Sequence, residues 1–246
     1  MKKFRWELLT VLILIAISCG LYGLHFHLFH DKHHLIIYGL GDLAFLPLEV
    51  FLVSLVLHRL LEFREKKSQQ SKMNMLIGSF FSQVGNKLLR EIAGQDRNML
   101  EHGDELKVRG SWKEREFHRA IKKATNYKPA LHITEPNLNC LKTHLLAQRQ
   151  YLNRLVQNPV LLEHGLFTDL LLASFHLLEE LSYRDSFTNL SQNDKNHLDG
   201  DIERIYTLLI SEWICYAKHL KSHYTYLFSL AVRVNPLKSK IDVKLK

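Results

Sequence analysis

No charged side chain interrupts the N-terminal stretch Leu8-Leu9-Thr10-Val11-Leu12-Ile13-Leu14-Ile15-Ala16-Ile17-Ser18-Cys19-Gly20-Leu21-Tyr22-Gly23-Leu24. A second apolar stretch, residues 43–57, carries a single charged residue, Glu49. A helix needs about 20 mostly apolar residues to cross a bilayer. The two stretches therefore predict a transmembrane hairpin with spans at about residues 6–26 and 40–61, followed by a juxtamembrane linker that ends at residue 72.

Basic residues flank this hairpin on its outer sides, whereas the connection between the spans contributes only Lys32. Lysines and arginines concentrate in cytoplasmic loops. Both termini are therefore predicted to be cytoplasmic and the connection to lie outside. The flanking basic residues are Lys2, Lys3, Arg5, Arg59, Arg64, Lys66, Lys67 and Lys72.

The first stretch also has features of a cleaved leader. Ala16-Ile17-Ser18-Cys19-Gly20 is close to a lipoprotein cleavage box, with cleavage at Cys19. However, Glu7 is unusual in such a leader, and residues 21–29 stay apolar where a lipoprotein has a polar tether. These features favour a retained helix. In either case the second span returns the chain to the cytoplasm.

The composition indicates a basic protein with acidic partners. The 246-residue chain has 33 lysines and arginines against 25 acidic residues, which gives a net charge of +8. For a membrane-tethered domain we expect anionic lipid head groups to be the partner, because each basic residue near them contributes about 1 kcal/mol. The sequence contains no nucleic-acid-binding motif, and nucleic acid is not predicted as a partner. Cys140 and Cys215 lack metal-binding spacing and are predicted to be buried thiols.

Residues 73–246 are predicted to form a cytoplasmic helical domain. Ser111-Trp112-Lys113-Glu114 fits a capping box that opens one of its helices. No segment shows the sustained alternation that strands require. The fold class is therefore all-α, a two-helix transmembrane hairpin followed by a soluble bundle of four to six helices. The predicted helices run over residues 73–92, 111–125, 137–156, 159–183 and 197–232, with a possible break in the last at Gly200 or Ser222.

The connection between the spans is rich in histidine. Imidazoles and a carboxylate at this density can bind zinc or copper, or titrate near neutral pH. Alternatively, a loop at the lipid head groups can collect histidines without binding anything. The candidate residues are His25, His27, His30, Asp31, His33 and His34.

Asp42 and Glu49 form a second candidate site, at the second span. Seven residues apart on one helix, they share a face and lie about 10 Å from each other. A carboxylate at bilayer depth is costly and generally faces a partner or water. In an oligomer, the two positions could form an acidic ring that attracts cations. The alternatives are a helix cap for Asp42 and a paired or protonated carboxyl group for Glu49.

The soluble domain offers two weaker candidates. His176, Glu179 and Glu180 lie on a very apolar helix, but their order reverses the Glu-x-x-His motif of ferritin-like metal sites. The helix beginning near Trp112 is basic and could lie on anionic lipid, or it could simply be solvated. Its basic residues are Lys113, Arg115, Arg119, Lys122 and Lys123.

Three segments resemble an uncharacterised family of bacterial two-span membrane proteins with a cytoplasmic helical domain. They are residues 38–50 (YGLGDLAFLPLEV), residues 77–85 (IGSFFSQVG), and the C-terminal region from Tyr216 to Pro236. The similarity covers nearly the whole chain. It implies the same architecture and a place in the bacterial inner (plasma) membrane, and it implies no catalytic residue.

The leading hypothesis is a non-enzymatic sensor, scaffold or assembly factor, anchored in the membrane and associated with itself or another membrane protein. The second is an oligomeric cation channel or transport subunit lined by Asp42 and Glu49. The third is a membrane-bound enzyme that uses His176, Glu179 and Glu180. The sequence carries no nucleotide-binding, hydrolase or kinase signature, and no cofactor is predicted.

Overall fold

The computed structural model describes residues 2–162 and 165–238. Those residues form helices and connections without a named strand, which confirms the all-α class. The chain divides into two compact units, residues 1–66 and 67–246. Residues 239–246 of the predicted cytoplasmic domain lie outside the described part.

The first unit contains α1 (Lys2–Phe29) and the beginning of α2 (Lys32–Phe80). A two-residue turn joins them. His30 adopts a φ of 53°, a left-handed conformation in which histidine is several-fold enriched among residues other than glycine. Asp31 Oδ1 accepts a hydrogen bond of 3.0 Å from the backbone N–H of His34 and so caps the start of α2.

The second unit contains the rest of α2 and a series of shorter helices. A π-helical segment, Phe81–Gly85, follows α2, and a single 3₁₀ turn, Gly103–Glu105, follows α4. The α-helices are α3 (Asn86–Ala93), α4 (Arg97–His102), α5 (Glu114–Thr125), α6 (Glu135–Ala147), α7 (Arg149–Val156), α8 (Pro159–Leu162), α9 (Gly165–Ser182), α10 (Gln192–His223) and α11 (Thr225–Arg233).

The described helices are more numerous than the four to six predicted, because most of the predicted long helices are divided. The predicted 137–156 helix breaks at Gln148, and the last one breaks at Tyr224, whereas Gly200 lies inside α10. The proposed start at Ser111 was wrong. α5 begins at Glu114, and its capping interaction is a 2.7 Å hydrogen bond from the Lys113 backbone N–H to the Glu116 side chain.

α10 is the central helix of the second unit, packed on α9, α5, α3 and α11. Its fully buried Trp213 meets the edge of the Phe81 ring at 5.4 Å between centroids. Tyr216 stacks on the same phenylalanine, and Phe80 packs edge-on against Phe167 of α9. This aromatic cluster joins the end of α2 to α9 and α10, and aromatic pairs of this kind stabilise a core beyond the area they bury.

The connection between α3 and α5 is anchored by the buried side chain of Asp96. One carboxylate oxygen accepts hydrogen bonds from the backbone N–H groups of Asn98 (3.1 Å) and Ala130 (2.9 Å). The other oxygen accepts one of 2.6 Å from the Tyr127 hydroxyl. Asp96 therefore caps α4 and holds the loop before α6.

The prediction of two buried cysteine thiols was wrong for Cys140. This residue is exposed on α6 and its thiol donates to Glu91 Oε1 at 3.3 Å. The Glu91 carboxylate raises the pKa of the Cys140 thiol. Cys215 is half-buried, and burial raises the pKa of its thiol to about 11.

Gly85 ends the π-helical segment where two aromatic rings leave no room for a side chain. A methyl group at this position would lie 2.7 Å from Phe81 Cδ1 and 2.9 Å from Phe80 Cε1. We predict that Gly85→Ala lowers the free energy of unfolding by about 1–3 kcal/mol, because both rings are fixed in the core. Denaturant unfolding followed by tryptophan fluorescence measures this.

Gly200 on α10 is the matched control, because a methyl group there meets no atom within 4 Å. Gly200→Ala should raise the free energy of unfolding by about 0.5–1 kcal/mol, the usual gain in a helix interior. Equal effects of the two substitutions would contradict the packing described around Gly85.

Glu212 is a carboxyl group buried in the core at 2 % exposure. Its Oε2 has no hydrogen-bond partner in the described part of the chain. Burial raises the pKa of Glu212 from 4.5 to about 7. The folded protein therefore holds this proton over a pH range in which the unfolded chain has already released it.

We predict that Glu212 makes stability fall as the pH rises from 4.5 to 7, by about 3 kcal/mol in total. Glu212→Gln, which is neutral at every pH, should remove that fall and be more stable than the parent above pH 7. Glu203→Gln, on the exposed side of the same helix, should keep the parent profile. Parallel profiles for the parent and Glu212→Gln would refute the assignment.

Candidate functional site

Asp42 and Glu49 lie on α2, and both side chains are exposed in the single chain. The helix continues through Pro47, so the two carboxylates stay on one face about 10 Å apart. Asp42 also lines a cavity of about 460 Å³ within the first unit. The other polar residues around that cavity are Ser18, Tyr22, His25, His34 and Tyr38.

The histidines near the hairpin turn do not form a loop. His25 and His27 lie in the last turns of α1, and His33 and His34 lie in the first turn of α2. The rings of His27 and His30 are 6.1 Å apart between centroids. Among the described residues, no three groups of this set converge closely enough to share a metal ion.

The basic residues of α5 are all exposed, as lipid contact requires. Phe117, Ala120 and Ala124 form the buried face of the helix. Lys123 is already engaged, since its Nζ lies 2.7 Å from Glu105 Oε2 and holds the pKa of that carboxyl below its usual value. One of the basic side chains of α5 is therefore already paired with an acidic side chain.

The predicted group of His176, Glu179 and Glu180 divides between two sides of α9. Glu179 Oε1 lies 2.9 Å from Arg149 Nη2, so this carboxylate points towards α7. His176 and Glu180, four residues apart, share the side that faces α10. That division excludes a site built from the three predicted residues together.

α10 supplies a matching pair, His197 and Asp201, also four residues apart. His176 Nε2 lies 3.1 Å from Asp201 Oδ2, and His197 Nε2 lies 3.4 Å from the same oxygen. His197 Nε2 is also 3.6 Å from Glu180 Oε1. The four side chains therefore form one cluster across the two helices, which we call the α9–α10 cluster.

Two arginines bind the outer carboxylate oxygens of this cluster, which are the oxygens that do not face the histidines. Arg184 Nη1 donates to Glu180 Oε2 at 2.5 Å, and Arg204 Nη1 donates to Asp201 Oδ1 at 3.2 Å. Arg184, with a smaller contribution from His197, holds the pKa of Glu180 below its usual value. Each carboxylate thus keeps its other oxygen directed at the imidazoles.

The sequence did contain a signal for this cluster. The spacing His-x-x-x-Glu at residues 176–180 returns as His-x-x-x-Asp at residues 197–201, across a polar turn. Two helices joined by a short connection pack side by side. Either pair alone resembles an ordinary surface pair, and only their apposition brings nitrogen and oxygen donors together.

Comparison with known proteins matches both parts of the chain to one family. Residues 2–61 match the family described as "MJ1433, N-terminal helical domain", and residues 69–233 match "Uncharacterized protein MJ1433, C-terminal helical domain". A relative of that name from Methanocaldococcus jannaschii is 41 % identical over 240 residues, which cover 98 % of this chain and 96 % of the relative. No solved structure matches.

The relative is archaeal, so the comparison does not support the predicted restriction to bacteria. Two helical domains agree with the predicted all-α organisation. The chain belongs to the MJ1433 family of proteins with helical N-terminal and C-terminal domains.

Proposed function

We propose that this chain is an integral membrane protein in which α1 and the first part of α2 form a two-helix anchor. The observation that carries the proposal is the exposure of large apolar side chains from Trp6 to Phe63. The exposed side chains in this range are 41–72 % accessible to solvent. A soluble protein rarely exposes a continuous apolar patch of more than a few hundred Å². In a bilayer, lipid chains would cover these apolar side chains.

The length of the first apolar segment supports the same proposal. This segment runs over Leu9–Phe29, 21 residues, which corresponds to about 30 Å of helix and to the thickness of a hydrocarbon core. The apolar segments are not core helices of the described chain, since none of their most apolar windows is buried. Both helices satisfy their backbone groups internally, as a membrane span must.

The helical domain would then act on the cytoplasmic side, since basic residues flank the outer ends of the hairpin. We assign it the role of a non-enzymatic sensor, scaffold or assembly factor. The exposed basic face of α5 suits anionic lipid head groups and would keep the domain near the membrane surface. The sequence has no enzyme signature that favours a catalytic role.

Single-cysteine labelling tests the anchor and its orientation. Cys19, Cys140 and Cys215 are first replaced, and His33→Cys or Lys67→Cys is then introduced at exposed positions. We predict that a membrane-impermeant maleimide labels the His33→Cys chain in intact cells. It should label the Lys67→Cys chain only after permeabilisation, because the bilayer separates the two positions.

Detergent-permeabilised cells provide the control, since both chains should then react. Labelling of Lys67→Cys in intact cells would contradict a cytoplasmic domain. Failure of His33→Cys to react before permeabilisation would contradict a hairpin that crosses the membrane.

A second candidate function is an oligomeric cation channel or transport subunit. It is favoured by the exposure of Asp42 and Glu49 on one face of a continuous α2. Two helices cannot enclose a pore alone, so this function requires several chains around an axis. A ring of Glu49 carboxylates would then attract cations.

The mass of the detergent-solubilised protein separates the two candidates. With a chain of 28.9 kDa, the anchored scaffold is expected as a monomer or dimer, and a pore requires a defined ring of four or more chains. In such a ring, Glu49→Gln should abolish cation flux into vesicles, because it removes the charge at the constriction. Glu65→Gln, further along α2, is the control. A monomer or dimer by light scattering excludes the pore.

A further inference from the structure

We propose that the α9–α10 cluster is a binding site for a divalent transition metal ion, zinc in the first place. The ligands are Nε2 of His176 and His197, Oε1 of Glu180 and Oδ2 of Asp201. Imidazole nitrogens and carboxylate oxygens together are an established zinc donor set. The inference concerns the helical domain alone and holds whether or not the anchor is correct.

His176, Glu180 and His197 offer ligand atoms that all lie within 4.8 Å of one another, and Asp201 Oδ2 lies beside both histidines. Zinc bonds of about 2.0–2.1 Å imply ligand atoms about 3.3 Å apart. The measured separations along three of the edges are 3.1, 3.4 and 3.6 Å, each involving a histidine Nε2. The rings of His176 and His197 are nearly perpendicular, at 85°, with centroids 6.1 Å apart. Each helix therefore places one imidazole Nε2 beside the same carboxylate oxygen, Asp201 Oδ2.

Asp201 provides an independent indication that a cation belongs here. Its side chain is 5 % exposed, and its Oδ2 accepts no hydrogen bond from the described part of the chain although two imidazoles lie beside it. A buried carboxylate oxygen without a hydrogen bond is costly. A metal ion between the two histidines satisfies that oxygen directly.

The surrounding arginines have the arrangement of an outer coordination shell. Ligating carboxylates are themselves generally hydrogen-bonded, and that second contact fixes their orientation. Here Arg184 and Arg204 hold the outer oxygens of Glu180 and Asp201. Their positive charges lower the affinity relative to a site with neutral outer donors, but they do not occupy the ligand atoms.

The other histidine pair on α10 lacks these features. His219 and His223 are also four residues apart, but their rings stack on each other at 4.4 Å. They alternate along the helix with Lys218 and Lys221, whose charges repel a cation. This pair therefore provides a control in which two histidines of the same domain are removed without touching the α9–α10 cluster.

Four protein ligands close the coordination sphere, and a closed site is structural rather than catalytic. The ion would clamp α9 to α10, the two helices whose packing forms the centre of the domain. Because the ligands assemble only in the folded chain, metal binding adds to the free energy of folding. His176 and His197 are about half exposed, which gives the ion a direct entry path.

The test uses the full chain, purified in detergent with a tag free of histidine and stripped with a chelator. Zinc bound per chain is measured by equilibrium dialysis, and the midpoint of thermal unfolding is measured with and without zinc. The double variant His176→Ala/His197→Ala should bind one zinc ion fewer than the parent. Zinc should raise the unfolding midpoint of the parent by several degrees and leave that of the variant unchanged.

The difference in stoichiometry is the readout, because the histidines near the hairpin turn can add binding common to both proteins. His219→Ala/His223→Ala is the matched control and should bind as the parent does. In the same way Glu180→Gln should weaken zinc binding at least tenfold, while Glu179→Gln should not. These single changes decide the outcome if circular dichroism shows that the double variant has lost helix.

Cobalt gives a second readout besides stability. A tetrahedral site should produce a visible cobalt spectrum in the parent that is absent from His176→Ala/His197→Ala. Equal zinc stoichiometry and equal thermal shifts for the parent and this variant would overturn the proposal. A parent whose unfolding midpoint does not respond to zinc would overturn it as well and leave the cluster as a set of ion pairs.

Discussion

The exposed apolar surface of α1 and of the first part of α2 is the constraint on which the rest of the chain depends. Each Å² of such surface left in water costs about 25 cal/mol, and more than 50 residues of helix carry it. The helical domain has its own core, centred on Trp213 and the Phe80–Phe81 pair. Residues 1–66 are therefore not needed to complete that core, and their apolar surface is available to lipid.

The helical domain, which has its own core, also contains the α9–α10 cluster. α10 buries Ile205, Tyr206 and Leu209 against its neighbours in its middle turns. Near its beginning, where α9 ends, the contact between the two helices turns polar and becomes the α9–α10 cluster. Asp201 lies at this transition, and its carboxyl side chain is only 5 % exposed.

The sequence predicted the features that depend on local spacing. Helical periodicity indicated α5 and α9, and the expected lack of strands holds for residues 2–162 and 165–238. Of the two breaks considered for the last helix, the one near Ser222 lies two residues from the observed break at Tyr224, whereas the one at Gly200 was wrong. The start of α5 was placed three residues too early, because helix ends are the least sharply determined part of a helix. The histidines near residue 30 were also assigned to a loop, whereas α1 and α2 continue almost to the turn. The composition alone did not distinguish a helix end from a loop there.

The candidate site was harder to predict, for a physical reason. The sequence places His176, Glu179 and Glu180 on one helix. It does not show that Glu179 faces Arg149 of α7 instead of the cluster. His197 and Asp201 gained significance only from the neighbouring helix. A site that joins two helices depends on tertiary packing. A single sequence indicates which face of a helix is apolar, but not which helix that face contacts.

Extraction of isolated membranes with alkaline carbonate tests the central claim, that the apolar helices lie in a bilayer. This treatment releases proteins held by charge or by other proteins and leaves those held by membrane-spanning helices. The account predicts that the full chain stays in the membrane pellet and is released only by detergent. Recovery of the chain in the carbonate supernatant would contradict it, because no lipid contact would then cover α1 and α2.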